Sequence, residues 1–249
     1  MKRTVTDVWP RLINIFQASK MGAIDVYIVS QSDWRKLPPP YFMLNGIPYC
    51  LIGKAVLVFP SKDFPQAAFY EIWESLGHPP QERLSERQFY SNFMTPLLVH
   101  ELAHLAVADA FRQTEDDLGF TLGLNETMAN IGLALATQRQ SHNWPFYLSS
   151  HKDLLRTPSR KAESPLAVLM KNPLKEGLAV YGLFQAMSLD FVDELCQEIP
   201  PEELAQIFGS LKGSKREALD TEFSALISAA SNRLRDNKFL VAISGHHTE

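Results

Sequence analysis

Residues 100–104, His-Glu-Leu-Ala-His, contain two imidazoles and a carboxylate. At this spacing such groups can bind a metal ion together or transfer a proton. On an α-helix, positions i and i+4 lie on one face about one turn apart. Imidazole nitrogens of His100 and His104 can therefore reach one Zn²⁺ at about 2.0–2.1 Å. Glu101 lies on the flank of that face, where its carboxylate can take a proton from a water molecule without binding the metal. The motif thus predicts a catalytic zinc site with two histidine ligands and Glu101 as general base.

The surroundings of this motif favour a metal over an ordinary pair of helix histidines. It lies in the apolar segment TPLLVHELAHLAVADAF, residues 95–111, so both rings are expected to face the interior. Burying two histidines and a glutamate without a partner is costly, and a metal ion removes that cost. A purely structural zinc site is usually closed by four ligands, often cysteines. Neither Cys50 nor Cys196 is near the motif in sequence, which favours a catalytic site.

A third ligand has to come from elsewhere, because a catalytic zinc usually takes three protein ligands and keeps one position for water. A third histidine six positions after His104 is excluded, because Ala110 stands there. Glu126 is the only acidic residue of the next predicted helix, about residues 124–138, which is otherwise apolar and small. A lone carboxylate on such a surface needs a partner, and a cation fits. Asn130, one turn further on, is placed to accept a hydrogen bond from the far ring nitrogen of a ligand histidine.

The motif HELAH followed by NETMAN, residues 125–130, resembles the gluzincin pattern of zinc peptidases, which thermolysin-like enzymes and minigluzincins share. The resemblance covers about residues 95–140 and, more loosely, the strands before them. It implies a zincin-like fold with Glu126 as the third zinc ligand. It also implies that extended peptide adds to an edge strand above the active-site helix, for which we expect Ala55–Phe59. The chain departs from the thermolysin pattern at Asn130, where those enzymes have Asp, and in being much shorter than the large members.

The same resemblance implies that a tyrosine or histidine from the C-terminal part stabilises the tetrahedral intermediate. Tyr181 is the first candidate, and its alternative role is that of a half-buried core aromatic. His142 and His151 are further candidates, and each also fits an ordinary loop histidine.

The elements around the motif predict an α+β fold, because strands come first and helices follow. We expect a helix over Val8–Lys20, strands over Ala23–Ser30 and Ala55–Phe59, and a hairpin around Asn45-Gly46. The predicted organisation is a zincin-like catalytic core over residues 1–140, a polar loop over 141–176 and a helical C-terminal subdomain over 177–243. Pro200-Pro201 is expected to break the helices of the last part.

The composition of the chain excludes several classes of partner. The formal net charge is −4 over 249 residues, which favours neither nucleic acid nor an anionic membrane as partner. There is no run of about 18 apolar residues to cross a membrane and no apolar signal-peptide core. The two cysteines form no CxxC pair and give no disulfide framework, so a reducing, cytoplasmic location is expected. The oligomeric state is not indicated.

Together these features predict a zinc-dependent metallopeptidase, a hydrolase acting on peptide or protein substrates. The absence of a GxMxN-like segment before HELAH leaves no aminopeptidase signature and favours an endopeptidase or an enzyme with no preference between internal and terminal bonds. One alternative is a catalytically degenerate zinc-binding protein with a regulatory or interaction role. The intact Glu101 argues against it, because a purely structural site has no use for a base. Another alternative is a latent peptidase whose cleft is filled by its own segment, residues 142–176, and the sequence does not separate it from the active enzyme.

Overall fold

A computed structural model describes residues 2–18, 24–37, 46–78, 84–111, 122–137, 143–156 and 178–245. The first part contains helix α1 (Lys2–Phe16), strand β1 (Asp25–Val29), the single-turn helix α2 (Gln31–Trp34), strand β2 (Tyr49–Leu51) and strand β3 (Val56–Pro60). The second contains α3 (Gln66–Ser75), α4 (Glu86–Phe89), α5 (Thr95–Phe111), α6 (Leu122–Thr137), α7 (Asn143–Arg156), α8 (Leu178–Glu198), α9 (Pro201–Leu211), α10 (Leu219–Ala230) and α11 (Lys238–Ser244). A small sheet followed by helices confirms the α+β class.

The three strands form one sheet in the order β1-β3-β2. Strand β1 is parallel to β3, with Asp25 opposite Val56, and β2 is antiparallel to β3, with Cys50 opposite Leu57. All five residues of β3 are buried, which explains its unbroken apolar run. The expectation that Ala55–Phe59 is an edge strand is therefore wrong, because β3 lies between the other two strands. Among the described residues, β1 and β2 are the outer strands of this sheet.

The turn between β2 and β3 is a short 3₁₀ segment, Ile52–Lys54, followed by Ala55 in the left-handed region with φ of 51°. This turn makes β2 and β3 antiparallel neighbours. The hairpin predicted around Asn45-Gly46 has its first strand among residues 38–45, which lie outside the described residues.

Helices α5 and α6 form the centre of the molecule. Both are strongly apolar, and most of their residues are buried, as expected of helices covered on most sides. Helix α1 packs on both of them through a face that includes Leu12 and Phe16, which are fully buried. Because the two central helices are fixed by packing on several sides, side chains that project between them are held in defined positions.

Helix α7 is a correction to the predicted organisation, because it occupies the first part of the segment 141–176 for which a polar loop was expected. Its buried face contains Trp144, Tyr147, His151 and Leu154, and these positions recur at helical spacing. Pro145 lies in the first turn, where proline is tolerated. The remaining residues of that segment, His142 and 157–176 included, lie outside the described ranges.

The C-terminal helices α8 to α11 follow the expected break, since Pro200 is extended and Pro201 opens α9. Helix α8 packs against α6 and α7 and brings the C-terminal part to the central helices. Within the described ranges, no helix combines the length and the hydropathy needed to cross a membrane.

Candidate metal centre

His100 and His104 lie on the side of α5 that faces α6, and both are buried. Their rings are perpendicular, with centroids 4.6 Å apart, and the two Nε2 atoms are 3.0 Å apart. The i, i+4 spacing on a regular helix thus brings one nitrogen of each ring to a common point, as the sequence predicts.

Glu126 projects from α6 toward the same point and is 6 % exposed. Its Oε2 is 3.2 Å from His100 Nε2, and its Oε1 is 3.6 Å from His104 Nε2. A tetrahedral zinc ion with bonds of about 2.0–2.1 Å would have neighbouring ligand atoms about 3.3 Å apart. The spacing of these donor atoms fits such an ion, and two imidazoles with one carboxylate are a suitable donor set for it.

The electrostatics of the three side chains favour a cation between them. Burial alone raises the pKa of Glu126, but the two adjacent histidines outweigh it and hold that pKa well below its usual range. Burial lowers the pKa of His104, yet the charges of Glu126 and Glu101 and the bonds to Glu126 and Asn125 raise it to about 9. Without a metal, the centre therefore keeps a proton on His104 at neutral pH.

Glu101 lies beside the centre but is held from another direction. One oxygen or nitrogen of each of His100, Glu101 and His104 lies within 4.8 Å of the others. The Glu101 Oε2 atom accepts a hydrogen bond of 2.9 Å from the backbone N–H of Cys50 on β2. Glu101 is thus near both histidines and hydrogen-bonded to strand β2, a position that would suit a base.

The Nδ1 atom of His104 is bonded by a residue that the sequence did not single out. His104 Nδ1 donates to Asn125 Oδ1 at 2.5 Å, whereas Asn130 donates to Gln185 Oε1 at 2.8 Å and to Ser188 Oγ at 3.0 Å. The expectation that Asn130 contacts a ligand histidine is therefore wrong. The NETMAN segment holds both asparagines, and Asn125 is the one placed beside α5. The Nδ1 atom of His100 is buried and has no hydrogen-bond partner among the described residues.

Tyr181 and Gln185, one turn apart on α8, both contact Glu126. The Tyr181 hydroxyl donates to Glu126 Oε2 at 3.0 Å, and Gln185 Nε2 donates to the same oxygen at 2.5 Å. Burial and the charges of Glu126 and Glu101 raise the pKa of Tyr181 well above its usual value, so the hydroxyl keeps its proton. Tyr181 is thus beside the centre, as the sequence predicts, with its one donor directed at Glu126. Gln185 carries no motif that would have marked it.

A cleft of about 440 Å³ opens over this centre, between β2, α3, α5, α6, α7 and α8. Two aromatic residues of α7, Tyr147 and His151, line it. The Tyr147 hydroxyl has no hydrogen-bond partner among the described residues, and burial and the charges of Glu101 and Glu126 raise its pKa. Tyr147 therefore offers the cleft a hydroxyl donor that has no partner among the described residues. The sequence did not single out Tyr147, because a loop was predicted at its position.

His151 is buried in the same wall, and its Nδ1–H donates to the Tyr147 carbonyl at 2.9 Å. Burial lowers the pKa of His151 to about 4 and outweighs the opposing effect of that hydrogen bond. The ring is thus neutral at pH 7, and its Nε2 carries a lone pair, not a proton. His151 therefore suits an acceptor and does not fit the role of oxyanion donor, for which it was an alternative.

A scan of protein families, a search of curated proteins and a search of solved structures each found no match to this chain. A function is therefore inferred from the residues and their geometry alone.

Proposed function

We propose that this protein is a zinc-dependent metallopeptidase of the gluzincin type with a zincin-like core. His100, His104 and Glu126 would hold the zinc, and Glu101 is the general base. The observation that carries the proposal is the convergence of two imidazole Nε2 atoms and one carboxylate at 3.0, 3.2 and 3.6 Å. A second glutamate, Glu101, lies close to both histidines. Among the hydrogen bonds of the described residues, none joins Glu101 to His100, His104 or Glu126.

The reaction is the hydrolysis of a peptide bond. Zinc bound at this centre would supply a Lewis acid that polarises the peptide carbonyl and lowers the pKa of a water molecule. Glu101 takes a proton from the attacking water as the C–O bond forms, and passes it to the leaving amine as the C–N bond breaks. The Tyr147 hydroxyl is the free donor for the oxyanion of the tetrahedral intermediate, while the Tyr181 hydroxyl is engaged with Glu126.

Strand β2 is the element to which extended substrate would add. Among the described residues it is the outer strand that borders the cleft, and the Cys50 N–H, bonded to Glu101, points away from β3. An edge strand offers such backbone groups to a peptide, which adds as a further strand. A substrate that pairs with the Cys50 N–H would also release Glu101 for proton transfer.

One observation favours the second candidate function, a latent zinc-binding regulatory or interaction protein. The Cys50 N–H donates to Glu101. The proposed base and the β2 amide that would bind substrate are therefore already paired with each other. If no substrate displaces that contact, the chain binds zinc without turnover.

Zinc content and turnover, measured in parallel, test the proposal. We expect about one zinc per wild-type chain by elemental analysis, and a sharp loss in Glu126→Ala because only two ligands remain. Glu101→Gln should keep the zinc and lower the hydrolysis of quenched fluorescent casein by about 10²–10⁴-fold, the usual contribution of a general base. Glu203→Gln, an exposed glutamate on α9, is the matched control and should change neither quantity.

The outcomes separate the two candidates. A wild-type chain that takes up no zinc on reconstitution would exclude both. Zinc bound through Glu126 with no turnover in any variant would support the latent protein. Full turnover in Glu101→Gln would remove the general-base assignment.

A further inference from the structure

Gln185 makes the shortest contact to Glu126 among the hydrogen bonds of the centre. Its side chain is 8 % exposed, and its Nε2 lies 2.5 Å from Glu126 Oε2 and 2.7 Å from the Tyr181 oxygen. Gln185 belongs to α8, 59 positions after Glu126, so this contact joins the C-terminal helices to the proposed ligand.

The orientation of the Gln185 amide is fixed by its neighbours on both sides. An ionised carboxylate only accepts hydrogen bonds, so the NH₂ group must face Glu126. The Gln185 oxygen accepts from Asn130 Nδ2 at 2.8 Å, and Asn130 also donates to Ser188 Oγ at 3.0 Å. Asn130 and Ser188 are almost fully buried, and a buried network with its partners satisfied is rigid.

We propose that Gln185 is a positioning residue that holds the Glu126 carboxylate in its ligating orientation and so sets the zinc affinity. The inference rests on the proposed metal centre. Groups that hydrogen-bond to a ligating carboxylate fix its orientation and tune the metal.

A glutamine is suited to this position for a physical reason. Lysine or arginine here would neutralise Glu126 with a full positive charge and compete with the metal. An apolar side chain would remove a donor from a buried carboxylate oxygen, which is costly. A neutral amide donates a hydrogen bond and leaves the carboxylate its negative charge.

The same contact couples the metal to the packing of α8 on α6. Glu126 and Asn130 lie on α6, while Tyr181, Gln185 and Ser188 lie on α8. A metal that orders Glu126 therefore also favours the docked position of α8. Zinc should stabilise the folded protein, and part of that stabilisation should depend on Gln185.

The test uses Gln185→Met, which keeps an unbranched side chain of similar length and removes the donor. The probes are zinc, in competition with a chelator, and cobalt(II), whose visible spectrum reports the ligand geometry. We expect zinc affinity to fall by about 10- to 100-fold, the cobalt spectrum to change, and the zinc-induced rise in melting temperature to shrink. Gln185→Asn, one methylene shorter, should act in the same direction and serves if the methionine variant does not fold.

Ser224→Ala is the matched control, since Ser224 is buried on α10 and donates to the Leu240 carbonyl at 3.1 Å. It removes a buried hydrogen bond elsewhere and should leave zinc affinity and the cobalt spectrum unchanged. Folded Gln185 variants with wild-type zinc affinity and an unchanged cobalt spectrum would overturn the inference and leave the metal centre standing. A wild-type chain that binds neither ion would overturn both.

Discussion

His151 is a buried histidine whose charge state depends on its surroundings. Burial lowers its pKa to about 4 from 6.5, so the unfolded chain takes up a proton near pH 6.5 and the folded chain only near pH 4. Stability is therefore lost as the pH falls from 6.5 to 4. One pKa unit corresponds to about 1.4 kcal/mol, so this residue accounts for at most about 3 kcal/mol of that loss.

Replacing His151 by phenylalanine should reduce this loss. The aromatic ring keeps its place against His78 and Trp73, with which His151 makes edge contacts at 4.7 and 5.1 Å, but it cannot take up a proton. We expect the free energy of unfolding, from urea titrations at pH 7 and pH 4.5, to fall less in the variant than in the wild type. An equal fall in both proteins would mean that His151 does not bind its proton differently in the folded and unfolded states.

At the residue scale, the histidines of the centre were predictable and their partners were not. His100, Glu101 and His104 follow from the periodicity of one helix, and Glu126 from being the only acidic residue of the next. No sequence pattern identifies Asn125, Gln185 or Tyr147. Amides and tyrosines serve many roles, and their contacts here depend on how the helices pack. The prediction for Asn130 was wrong for the same reason. Helical spacing places Asn130 on the same face as Glu126, but it does not show that this residue contacts α8 and not the histidines of α5.

At the scale of elements, the position of Glu126 depends on how closely α5 and α6 approach. Gly132 of α6 lies at their contact, and a Cβ atom there would be 2.7 Å from the Ala103 Cβ and 2.9 Å from the Phe16 ring. Both neighbours are fully buried, so they have little room to move. Alanine is normally the better helix former by about 1 kcal/mol, and here the crowding should outweigh that gain.

We expect Gly132→Ala to destabilise the protein by up to about 2 kcal/mol, from an overpacking cost of about 1–3 kcal/mol less a propensity gain of about 1 kcal/mol. It should also weaken zinc binding by moving α6 away from α5. Gly209→Ala on α9 is the control, because the three atoms nearest to its Cβ would all belong to the end of the Gln17 side chain, which is exposed. Chemical denaturation of both variants checks this. A Gly132 variant as stable as the Gly209 variant would show that the helices separate without cost.

The sequence predicted which segments are helices or strands better than it predicted how these elements are arranged. The helix that carries HELAH, the helix that carries Glu126 and the strand at β3 were expected from periodicity and apolar runs. The central place of β3 was not, because an unbroken apolar strand fits any position with both faces covered. Helix α7 was missed because its charged and polar residues outweigh a narrow buried stripe.

At the scale of the whole molecule, the cleft has two glutamates, Glu101 and Glu126, beside largely apolar walls. Phe69, Ile72, Trp73 and Leu76 line it from the segment of α3, and Leu178 lines it from α8. Among the lining residues that the structure describes, none is Lys or Arg, and the acidic ones are Glu101 and Glu126. A free carboxylate or ammonium terminus of a substrate would thus enter without a dedicated partner, and an unpaired buried charge is costly.

The proposed enzyme should therefore cleave internal bonds in apolar peptide segments. A quenched peptide with apolar residues around its centre and blocked ends should be hydrolysed at least as fast as the same peptide with free ends. Replacing the central apolar residues by Lys and Glu should lower kcat/KM by about tenfold or more, since matching an apolar pocket contributes about 1–3 kcal/mol. A requirement for a free amino terminus would contradict this assignment, because it would need an anionic partner for the ammonium group other than the two glutamates engaged at the centre.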